Sequence, residues 1–392
     1  MLDVSLRCRI YVIFASVLLL VFGSLGFGSV ANATPSLAPS PTGDSYLDLW
    51  PRANTSMQNG EILSSRSVAL TGPLVVTINP KVWQLWFKTT TADGRPTTAL
   101  TTVLKPANWN GSVVSNNYAI DGLGLKCNPS YQLTHGFAVE VPDITRQLLA
   151  RGYAVVMTDY QGGSMAYGHG PTQAPIVLDG IRAALGFPAA GLQGSAVAMT
   201  GYSGGAIATG WAAQLQPIYA PELALAGVVM GGTPADLSLL GEYMDGKVPA
   251  SGLYLLAALG VARVTAGAPD LLNPIGVQLA QGFKDSCVEM GFIAGVLPLP
   301  LSTFTSQGLY DNDVVRQVLH DTRMGGIAPT VPVLLFHGQY DLWIPIAGVE
   351  TLYGDWTSLG ADVSFLVVPG EHITGAFDPR TLDQLDEWLQ MK

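Results

Sequence analysis

Charged side chains are scarce in this sequence of 392 residues, and basic ones are the scarcer. Only 12% of the residues are Asp, Glu, Lys or Arg, where roughly 25% is typical of soluble proteins. The 19 basic residues are outnumbered by 29 acidic ones, and no basic run or stripe occurs along the chain. A nucleic acid is therefore excluded as a partner, because binding to phosphates needs a positive surface.

Motifs for metals and cofactors are missing as well. No G-x-G-x-x-G occurs in the chain. Gly241–Lys247 fits the phosphate-binding pattern G-x-x-x-x-G-K, but Val248 stands where a Ser or Thr would ligate Mg²⁺. The five histidines and three cysteines show no metal-ligand spacing. We therefore expect neither a metal nor a cofactor.

The N-terminal 33 residues have the pattern of a secretory signal peptide. Arg7 and Arg9 precede the apolar run Ile10–Phe22, and Ala31-Asn32-Ala33 is a cleavage signal of the A-x-A type. We expect cleavage after Ala33 and a secreted or cell-envelope protein. An uncleaved membrane anchor is the alternative, because apolar and small residues continue almost to that site. Residues 34–45, rich in Pro, Ser, Ala and Gly, predict a flexible linker.

Cleavage would remove Cys8 and leave Cys127 and Cys287 in the mature chain. A single pair of cysteines in a secreted chain suggests one disulfide. Two unrelated buried thiols are the alternative. A bridge between positions so far apart would stabilise the fold by roughly 3–5 kcal/mol.

Short apolar stretches separated by helix-like stretches indicate an α/β fold. The candidate strands are Ala99–Leu104, Val113–Ala119, Tyr153–Thr158, Ala196–Thr200, Ala226–Met230, Val331–Phe336 and Val363–Val368. The candidate helices between them are Ile144–Ala150, Val177–Leu185, Gly205–Gln216 and Ala347–Leu359. Several strands are apolar throughout, as expected when helices cover both faces of a parallel sheet. The alternation therefore predicts a central, mostly parallel sheet.

The alternation stops in residues 233–329, which are rich in Ala, Leu and Gly. Stretches such as Leu253–Val264 and Leu271–Phe283 favour a helical cap. This cap would be inserted into an α/β body made of residues 46–232 and 330–392. Such a cap forms a substrate pocket where it meets the body. A peripheral helical subdomain without contact to the substrate is the alternative.

The residues Gly201-Tyr202-Ser203-Gly204-Gly205 match G-x-S-x-G, the pattern of a nucleophile elbow. The pentapeptide is common by chance, so its surroundings decide. A strand-like stretch, Ala196–Thr200, precedes it, and a helix-like stretch, Gly205–Gln216, follows. A serine at such a turn is strained, glycine neighbours avoid clashes, and the helix N-terminus places N–H groups where an oxyanion forms. We therefore predict that Ser203 is a nucleophile; a glycine turn without catalysis is the alternative.

A serine nucleophile needs a base and an acid that orients this base, which follow in the order Ser, Asp or Glu, His. Three histidines lie after Ser203. His372 is predicted as the base, because it comes in a loop directly after the apolar run Val363–Val368. His337, at a strand end, is predicted to be a packing residue, and His320, in a helix-like stretch, a surface or cap residue.

Asp341 is predicted as the acid. It lies on the loop after the strand Val331–Phe336, where the acid of this arrangement is expected. A turn aspartate that accepts backbone N–H groups is the alternative. The rival acids are Asp311, Asp313 and Asp362, of which the last comes too early in its strand to reach a loop.

A second oxyanion donor is expected from the loop after an early strand. Ala119–Gly124 follows the strand-like stretch from Val113 and contains two glycines. Its backbone N–H groups can face Ser203, but spacing alone does not identify the donor.

Beyond the elbow, several stretches together resemble the secretory lipase family, the lipase A-like branch of the α/β-hydrolases best known from yeasts. The resemblance spans about Ser45 to Met391. It is carried by Gly60–Arg66, Trp83–Thr91, Asp121, Cys127–Tyr131, Thr158–Gly162 and Leu178–Ala183. Together these stretches are far more specific than G-x-S-x-G.

The resemblance implies an α/β-hydrolase fold with a helical cap that carries an acyl tunnel. It also implies a set of functional residues: Ser203, Asp341 and His372 as the triad, Asp121 and Gly204 as the oxyanion hole, and a disulfide between Cys127 and Cys287. The family cleaves carboxylic esters, triacylglycerols included, without a cofactor. A lipid ester substrate and transient contact with lipid interfaces are therefore expected. Only 20 residues follow His372, so a flap built from the longer C-terminal extension of the yeast members is expected to be absent or short.

Three functions are compatible with these residues. The first is a secreted ester hydrolase that works through an acyl-enzyme. The second is an acyltransferase, which passes the same acyl group to a sugar or lipid hydroxyl. The third is a non-catalytic cell-envelope binding protein on a hydrolase fold, which a missing triad residue would signal. Because no triad residue is missing and the stretch Leu253–Phe283 is apolar, hydrolysis of lipid acyl esters is the favoured hypothesis.

Overall fold

The computed structural model describes residues 36–71, 78–136, 142–247, 250–296, 298–306 and 308–391, with the backbone alone at 142 and 143. The predicted signal segment, residues 1–33, lies outside the described residues. Among the helices that the structure describes, none is long and apolar enough to span a bilayer.

One sheet forms the centre of the fold. Its strands are β1 (Ile62–Val68), β2 (Lys81–Thr90), β3 (Pro96–Lys105), β4 (Val113–Asn117), β5 (Ala154–Thr158), β6 (Val197–Tyr202), β7 (Leu225–Gly231), β8 (Val333–Gly338) and β9 (Val363–Val368). Their order across the sheet is β1-β2-β3-β5-β4-β6-β7-β8-β9. The pairs β1–β2, β2–β3 and β3–β5 are antiparallel, and the other five are parallel. The predicted mostly parallel sheet is therefore confirmed.

Helices follow most of the strands. They are α1 (Pro129–His135), α2 (Pro142–Ala150), α3 (Gly170–Gly186), α4 (Gly204–Tyr219), α5 (Leu237–Met244), α6 (Ser251–Ala262), α7 (Pro274–Phe283), α8 (Val288–Gly295), α9 (Asp313–Asp321), α10 (Ile346–Ser358), α11 (His372–Gly375) and α12 (Pro379–Gln390). Short 3₁₀ turns lie at Leu125–Cys127, Pro269–Leu271, Leu301–Thr303 and Leu309–Asp311.

The helices cover both faces of the sheet. α3, α4 and α10 pack on one face, where Val177 and Trp356 are fully buried. α2 and α12 pack on the other face through residues such as Leu149 and Trp388. Gly227 in β7 makes this packing possible, because a Cβ there would come within 2.1 Å of the Trp388 ring. Strands such as β5 and β7 are buried along their whole length, which explains their unbroken apolar sequences.

Helices α5 to α9 occupy the described part of residues 237–321 and share a core of their own. Leu240, Leu256 and Phe304 belong to this core, which also takes in Leu123 and Ile344 from the loops of the sheet. That these helices form a cap domain, inserted at 233–329 into a body of 46–232 and 330–392, stays a prediction.

Residues 34–45 were predicted to be a flexible linker. From residue 37 onward, hydrogen bonds hold this segment in place. The backbone N–H and the hydroxyl of Ser40 donate to the carboxylate of Asp285, at 2.6 and 2.7 Å. Lys284 donates from Nζ to Ser40 Oγ at 2.8 Å, and the Thr42 N–H donates to Asp48 at 2.8 Å. Partners about 245 residues away in the chain thus hold this segment, and its own composition gives no sign of them.

Candidate active site

The elbow turn is built as its sequence predicts. β6 ends at Tyr202, and α4 begins at Gly204. Between them Ser203 has φ 53° and ψ −123°, a strained conformation for a residue with a side chain. Its N–H donates to the carbonyl of Gly231 in the neighbouring strand at 2.9 Å. The glycine at 205 is required, because a Cβ there would lie 1.9 Å from the backbone oxygen of Asn117.

Ser203, His372 and Asp341 form a chain of two hydrogen bonds. His372 Nε2 lies 2.9 Å from Ser203 Oγ, and His372 Nδ1 lies 2.6 Å from Asp341 Oδ2. The side chains of His372 and Asp341 are almost completely buried. The three residues follow β6, β8 and β9 at the carboxyl edge of the sheet, the edge where parallel sheets bind ligands. Glu371 caps α11 and thereby fixes the start of the turn that carries His372.

Asp341 has hydrogen-bonding partners on both of its carboxylate oxygens. Its Oδ1 accepts the backbone N–H groups of Trp343 and Ile344, each at 2.9 Å, while its Oδ2 faces His372. Burial alone would raise the pKa of Asp341, but the hydrogen bonds from His372 and from these backbone groups hold the pKa below its ordinary value. The carboxylate is therefore ionised and fixed in orientation.

His337 packs beneath the acid, as predicted. It is fully buried, and its Nε2 donates to the carbonyl of Ile344 at 3.0 Å. The same nitrogen lies 3.5 Å from Asp341 Oδ2. Burial lowers the pKa of His337 despite the nearby carboxylate of Asp341, so the ring is a neutral donor. It supports residues 339–345, which carry Asp341 and which we name the acid loop.

None of the rival residues lines the two cavities at Ser203. Asp311, Asp313 and Asp362 are exposed. His320, also exposed, lies 3.0 Å from Asp321 at the end of α9, in agreement with a surface position.

Two aromatic residues that sequence reasoning missed hold His372 in place. The Tyr202 hydroxyl donates to the backbone carbonyl of His372 at 2.5 Å, and the centres of their rings are 5.2 Å apart. The Trp343 ring lies 4.8 Å from the imidazole, centre to centre. Burial raises the pKa of Tyr202, and the negative charges of Asp341 and Glu371 raise it further. The position of Tyr202 inside the elbow pentapeptide was the one available signal.

The two predicted oxyanion residues lie against each other. Asp121 has a positive φ of 45° and lines the same cavity as Ser203. A Cβ on Gly204 would lie 1.7 Å from Asp121 Oδ1, so a larger residue there would displace the Asp121 side chain. As the first residue of α4, Gly204 has an N–H without an acceptor inside the helix.

Cys127 and Cys287 form a disulfide, as expected. It lies next to the loop that carries Asp121, since a Cβ on Gly122 would be 2.8 Å from Cys127 Sγ. The Leu123 N–H donates to the carbonyl of Ser286 at 2.7 Å. Covalent and hydrogen bonds together attach this loop to the segment before α8.

A cavity of about 570 Å³ opens at Ser203. Apolar side chains from α6, α8 and the acid loop line one part of it, namely Leu253, Val288, Phe292 and Trp343. A second cavity of about 20 Å³ also touches Ser203 and His372 and reaches Leu237, Tyr254 and Ala257. These last three residues also line an apolar cavity of about 120 Å³ among the helices α5 to α9.

Metal-ligating side chains do not cluster in the described part of the chain, in groups of three or more. The phosphate-binding pattern noted at Gly241–Lys247 has no loop at its start, because Gly241 lies within α5. A Cβ at Gly241 would approach the Tyr254 hydroxyl to 2.6 Å, so this glycine serves helix packing.

Comparisons with known proteins agree on one family. A family model described as secretory lipase matches residues 130–387. One secreted triacylglycerol lipase of Malassezia globosa is 32% identical over 336 residues, covering 80% of this chain and 71% of its own. A second from the same organism is 33% identical over 376 residues, covering 90% and 81%. The structure of this chain is similar to that of lipase A of Candida antarctica in its closed state, with a TM-score of 0.79 and 23% sequence identity. The match covers 93% of this chain and 87% of the lipase A chain. This similarity supports the α/β-hydrolase fold.

Proposed function

This chain belongs to the secretory lipase family and is a hydrolase of the lipase and esterase type, and we propose that Ser203, His372 and Asp341 are its catalytic triad. The observation that carries the proposal is the pair of hydrogen bonds, 2.9 and 2.6 Å, that joins the three side chains. A serine hydroxyl becomes a nucleophile when a base within this distance takes its proton.

Each residue then has one task in the reaction. Ser203 Oγ attacks the ester carbonyl carbon while His372 Nε2 takes the hydroxyl proton. The N–H groups of Asp121 and Gly204 stabilise the oxyanion of the tetrahedral intermediate. His372 returns the proton to the leaving alcohol, and an acyl-enzyme remains. Water, deprotonated by His372, releases the acid and restores Ser203.

Asp341 orients the imidazole and stabilises its positive charge during the reaction. Because the pKa of Asp341 is held below its ordinary value, the carboxylate stays ionised when the solution becomes mildly acidic. Asp341 therefore holds the imidazole of His372 in position under these conditions as well.

The substrate we propose is an ester of a lipid acyl chain, triacylglycerols included. Two features support it: the names of the Malassezia relatives as triacylglycerol lipases, and the apolar side chains beside Ser203. We place the acyl chain along Leu237, Tyr254 and Ala257, which line both the small cavity at Ser203 and the apolar cavity among α5 to α9. This route uses the predicted cap at 233–329 as the acyl-binding part.

Contact with a lipid interface is part of the same proposal. Ile373 and Phe377 line the mouth of the large cavity and are 40% and 49% exposed. On the acid loop, Leu342 is 74% exposed. Exposed apolar side chains around a site favour transient binding to an apolar surface.

We further propose that the chain is secreted and cleaved after Ala33. The A-x-A signal of Ala31-Asn32-Ala33 and the relatives named as secreted lipases support it. N-terminal sequencing of the protein from the culture medium would find Thr34 first, and a retained N-terminus in the membrane fraction would indicate an anchor instead.

The triad is tested by hydrolysis of p-nitrophenyl esters of increasing acyl length. The expected result is a loss of roughly 10⁴–10⁶-fold in kcat for Ser203→Ala, and the optimum chain length of the wild type measures the acyl cavity. Ser195→Ala, in the turn before β6, is the matched control and keeps full activity. Activity retained by Ser203→Ala would refute the triad, and no cleavage of any ester by the wild type would refute hydrolysis.

A further inference from the structure

The large cavity at Ser203 has a polar end as well as an apolar part. Asn116 on β4, Thr200 on β6 and Gln147 on α2 line this end, which we name the polar end. Asn116 and Thr200 are register partners on neighbouring parallel strands, so their side chains lie side by side on one face of the sheet. This face is the one covered by α2 and α12.

The polar end has hydrogen-bonding capacity that the protein leaves unused. Thr200 is only 8% exposed, and its hydroxyl makes no hydrogen bond with the residues that the structure describes. Asn116, 3% exposed, donates from Nδ2 to Thr145 Oγ1 at 3.0 Å; its Oδ1 has no partner in the part of the chain that the structure describes. Neither atom is among the fully buried polar atoms without a partner, so water in the cavity reaches both. A ligand atom that enters the cavity can replace this water as their hydrogen-bonding partner.

The chemistry of the polar end selects a neutral ligand. A threonine hydroxyl donates and accepts, and an asparagine oxygen accepts. A hydroxyl group, which also donates and accepts, matches both at once. None of the three side chains is charged, so neither a phosphate nor an ammonium group finds a counter-charge among them.

We propose that the polar end binds a free hydroxyl on the alcohol half of the ester, so that among lipid esters the enzyme prefers those of a polyol with an unesterified hydroxyl, such as a partial acylglycerol. This inference rests on the proposed function. Two cavities meet at Ser203, Leu253, Trp343 and His372, and an ester attacked at Ser203 has two halves to place. The acyl chain enters the apolar route, and the polyol lies in the polar end.

An ester of a plain alkyl alcohol fits this site less well. Its alcohol half would exclude water from Thr200 and Asn116 without replacing the lost hydrogen bonds, and such desolvation is unfavourable. The enzyme should therefore prefer an ester with hydroxyls over an alkyl ester of the same size and the same acyl group.

The test compares two butanoate esters that differ in hydroxyls alone: 2,3-dihydroxypropyl butanoate and propyl butanoate. Free acid is titrated at constant pH, and kcat/KM is measured for each ester below its solubility limit. The wild type should prefer the dihydroxypropyl ester. Thr200→Val, which removes the hydroxyl and keeps the shape, should lower kcat/KM for this ester by roughly 5- to 10-fold, the effect of one neutral hydrogen bond, and leave the propyl ester unchanged or faster.

Controls separate this inference from the function on which it rests. Thr102→Val, in β3, removes a buried threonine hydroxyl that has no partner. Thr102 does not line the cavity at Ser203, so this variant should leave the ratio of kcat/KM for the two esters unchanged. Gln147→Met, on the half-exposed surface of α2, should also lower the ratio of kcat/KM for the dihydroxypropyl ester to kcat/KM for the propyl ester. This variant replaces Thr200→Val in the test if Thr200→Val does not fold.

Equal cleavage of both esters by the wild type, or an equal loss on both in Thr200→Val, overturns the polar end as an alcohol site. Cleavage of neither ester overturns the proposed function instead.

Discussion

His372 takes its position from residues that transfer no proton. Its backbone carbonyl accepts a hydrogen bond from the Tyr202 hydroxyl, and its imidazole contacts the rings of Tyr202 and Trp343. Its Nδ1 faces Asp341. A base must lie within hydrogen-bonding distance of the proton it removes. Displacements of about 1 Å are costly in rate, so these contacts belong to the activity as well as to the packing.

Tyr202→Phe tests this positioning. The variant keeps the ring against His372 and removes only the hydroxyl that donates to the backbone carbonyl at 2.5 Å. We expect kcat to fall by roughly 10-fold with KM almost unchanged, and stability to fall by about 1 kcal/mol. Steady-state kinetics and urea unfolding measure the two effects.

Tyr153→Phe is the matched control, because the Tyr153 hydroxyl donates to Asp386 at the same distance of 2.5 Å. This variant should lose stability by a similar amount and keep its kcat. If both variants lose kcat equally, the effect in Tyr202→Phe comes from general destabilisation and not from the position of His372.

At the scale of elements, the elbow depends on how closely α4 approaches β4. A Cβ at residue 205 would meet the Asn117 backbone oxygen at 1.9 Å, and backbone does not yield as a flexible side chain does. The side-chain amide of Asn117 donates a hydrogen bond to the Thr209 hydroxyl on α4 at 3.0 Å, and this bond also holds α4 close to β4. The strand end, the turn and the helix are therefore one rigid support for Ser203.

Gly205→Ala should for this reason destabilise the fold by at least about 3 kcal/mol and abolish activity. Gly186→Ala is the comparison, because residue 186 ends α3 and a Cβ there has no neighbour within 4 Å. That variant should stay within about 1 kcal/mol of the wild type. Urea unfolding measures the free energy of unfolding of both variants and the wild type. A Gly205→Ala variant as stable as the wild type would contradict the close approach of α4 to β4.

The N-terminus of α3 links stability to pH. His169 caps this helix, since its Nδ1 accepts from the Thr172 N–H at 3.3 Å and lies 2.8 Å from the Thr172 hydroxyl. Burial lowers the pKa of His169 to about 4, although Asp321 opposes the shift. The unfolded chain takes up this proton near the ordinary value of about 6.5. Between these values the unfolded state binds more protons, so stability falls as the pH falls.

His169→Asn should flatten that decline. Asparagine caps a helix about as well as any residue and does not titrate, so the variant should resemble the wild type at pH 7 and lose less stability between pH 6.5 and 4.5. Urea unfolding at both pH values gives the comparison. Parallel declines in the two proteins would exclude His169 as the source.

At the scale of the whole molecule, strands with apolar sequences were predictable and the polar edge strand was not. The predicted stretch Tyr153–Thr158 contains strand β5, because an unbroken apolar run suits a covered parallel sheet. Strand β1 was not predicted, since its polar residues form an edge strand that pairing with β2 stabilises. Helix α3 was predicted in its second half alone. Its first half contains Pro171, which a helix tolerates at its start, and Pro175, which removes one hydrogen bond inside the helix.

The candidate site shows the same division. Ser203, Asp341 and His372 each follow a recognisable strand, so chain order was enough to propose them. Tyr202 was visible next to the serine, but its contact with the His372 carbonyl joins residues 170 positions apart. The polar end joins β4, β6 and α2, and no local pattern predicts which faces of separate elements meet.

The disulfide is a constraint on the whole chain, since it joins residues 160 positions apart. Closing so long a loop in the unfolded state accounts for about 3–5 kcal/mol of stability. The bridge also lies beside the loop that carries Asp121. In this loop, the Leu123 N–H donates to the Ser286 carbonyl and the Leu123 carbonyl accepts from Arg263, each at 2.7 Å.

Replacing both cysteines by serine should therefore lower stability by about 3–5 kcal/mol and also lower kcat, because the oxyanion N–H groups lose their fixed position. A reductant should do the same to the wild type and nothing further to the double variant, as measured by thermal unfolding and ester hydrolysis. If the double variant loses stability but keeps its full kcat at a temperature where it is folded, hydrogen bonds alone hold the oxyanion loop, and the disulfide acts only on the unfolded chain.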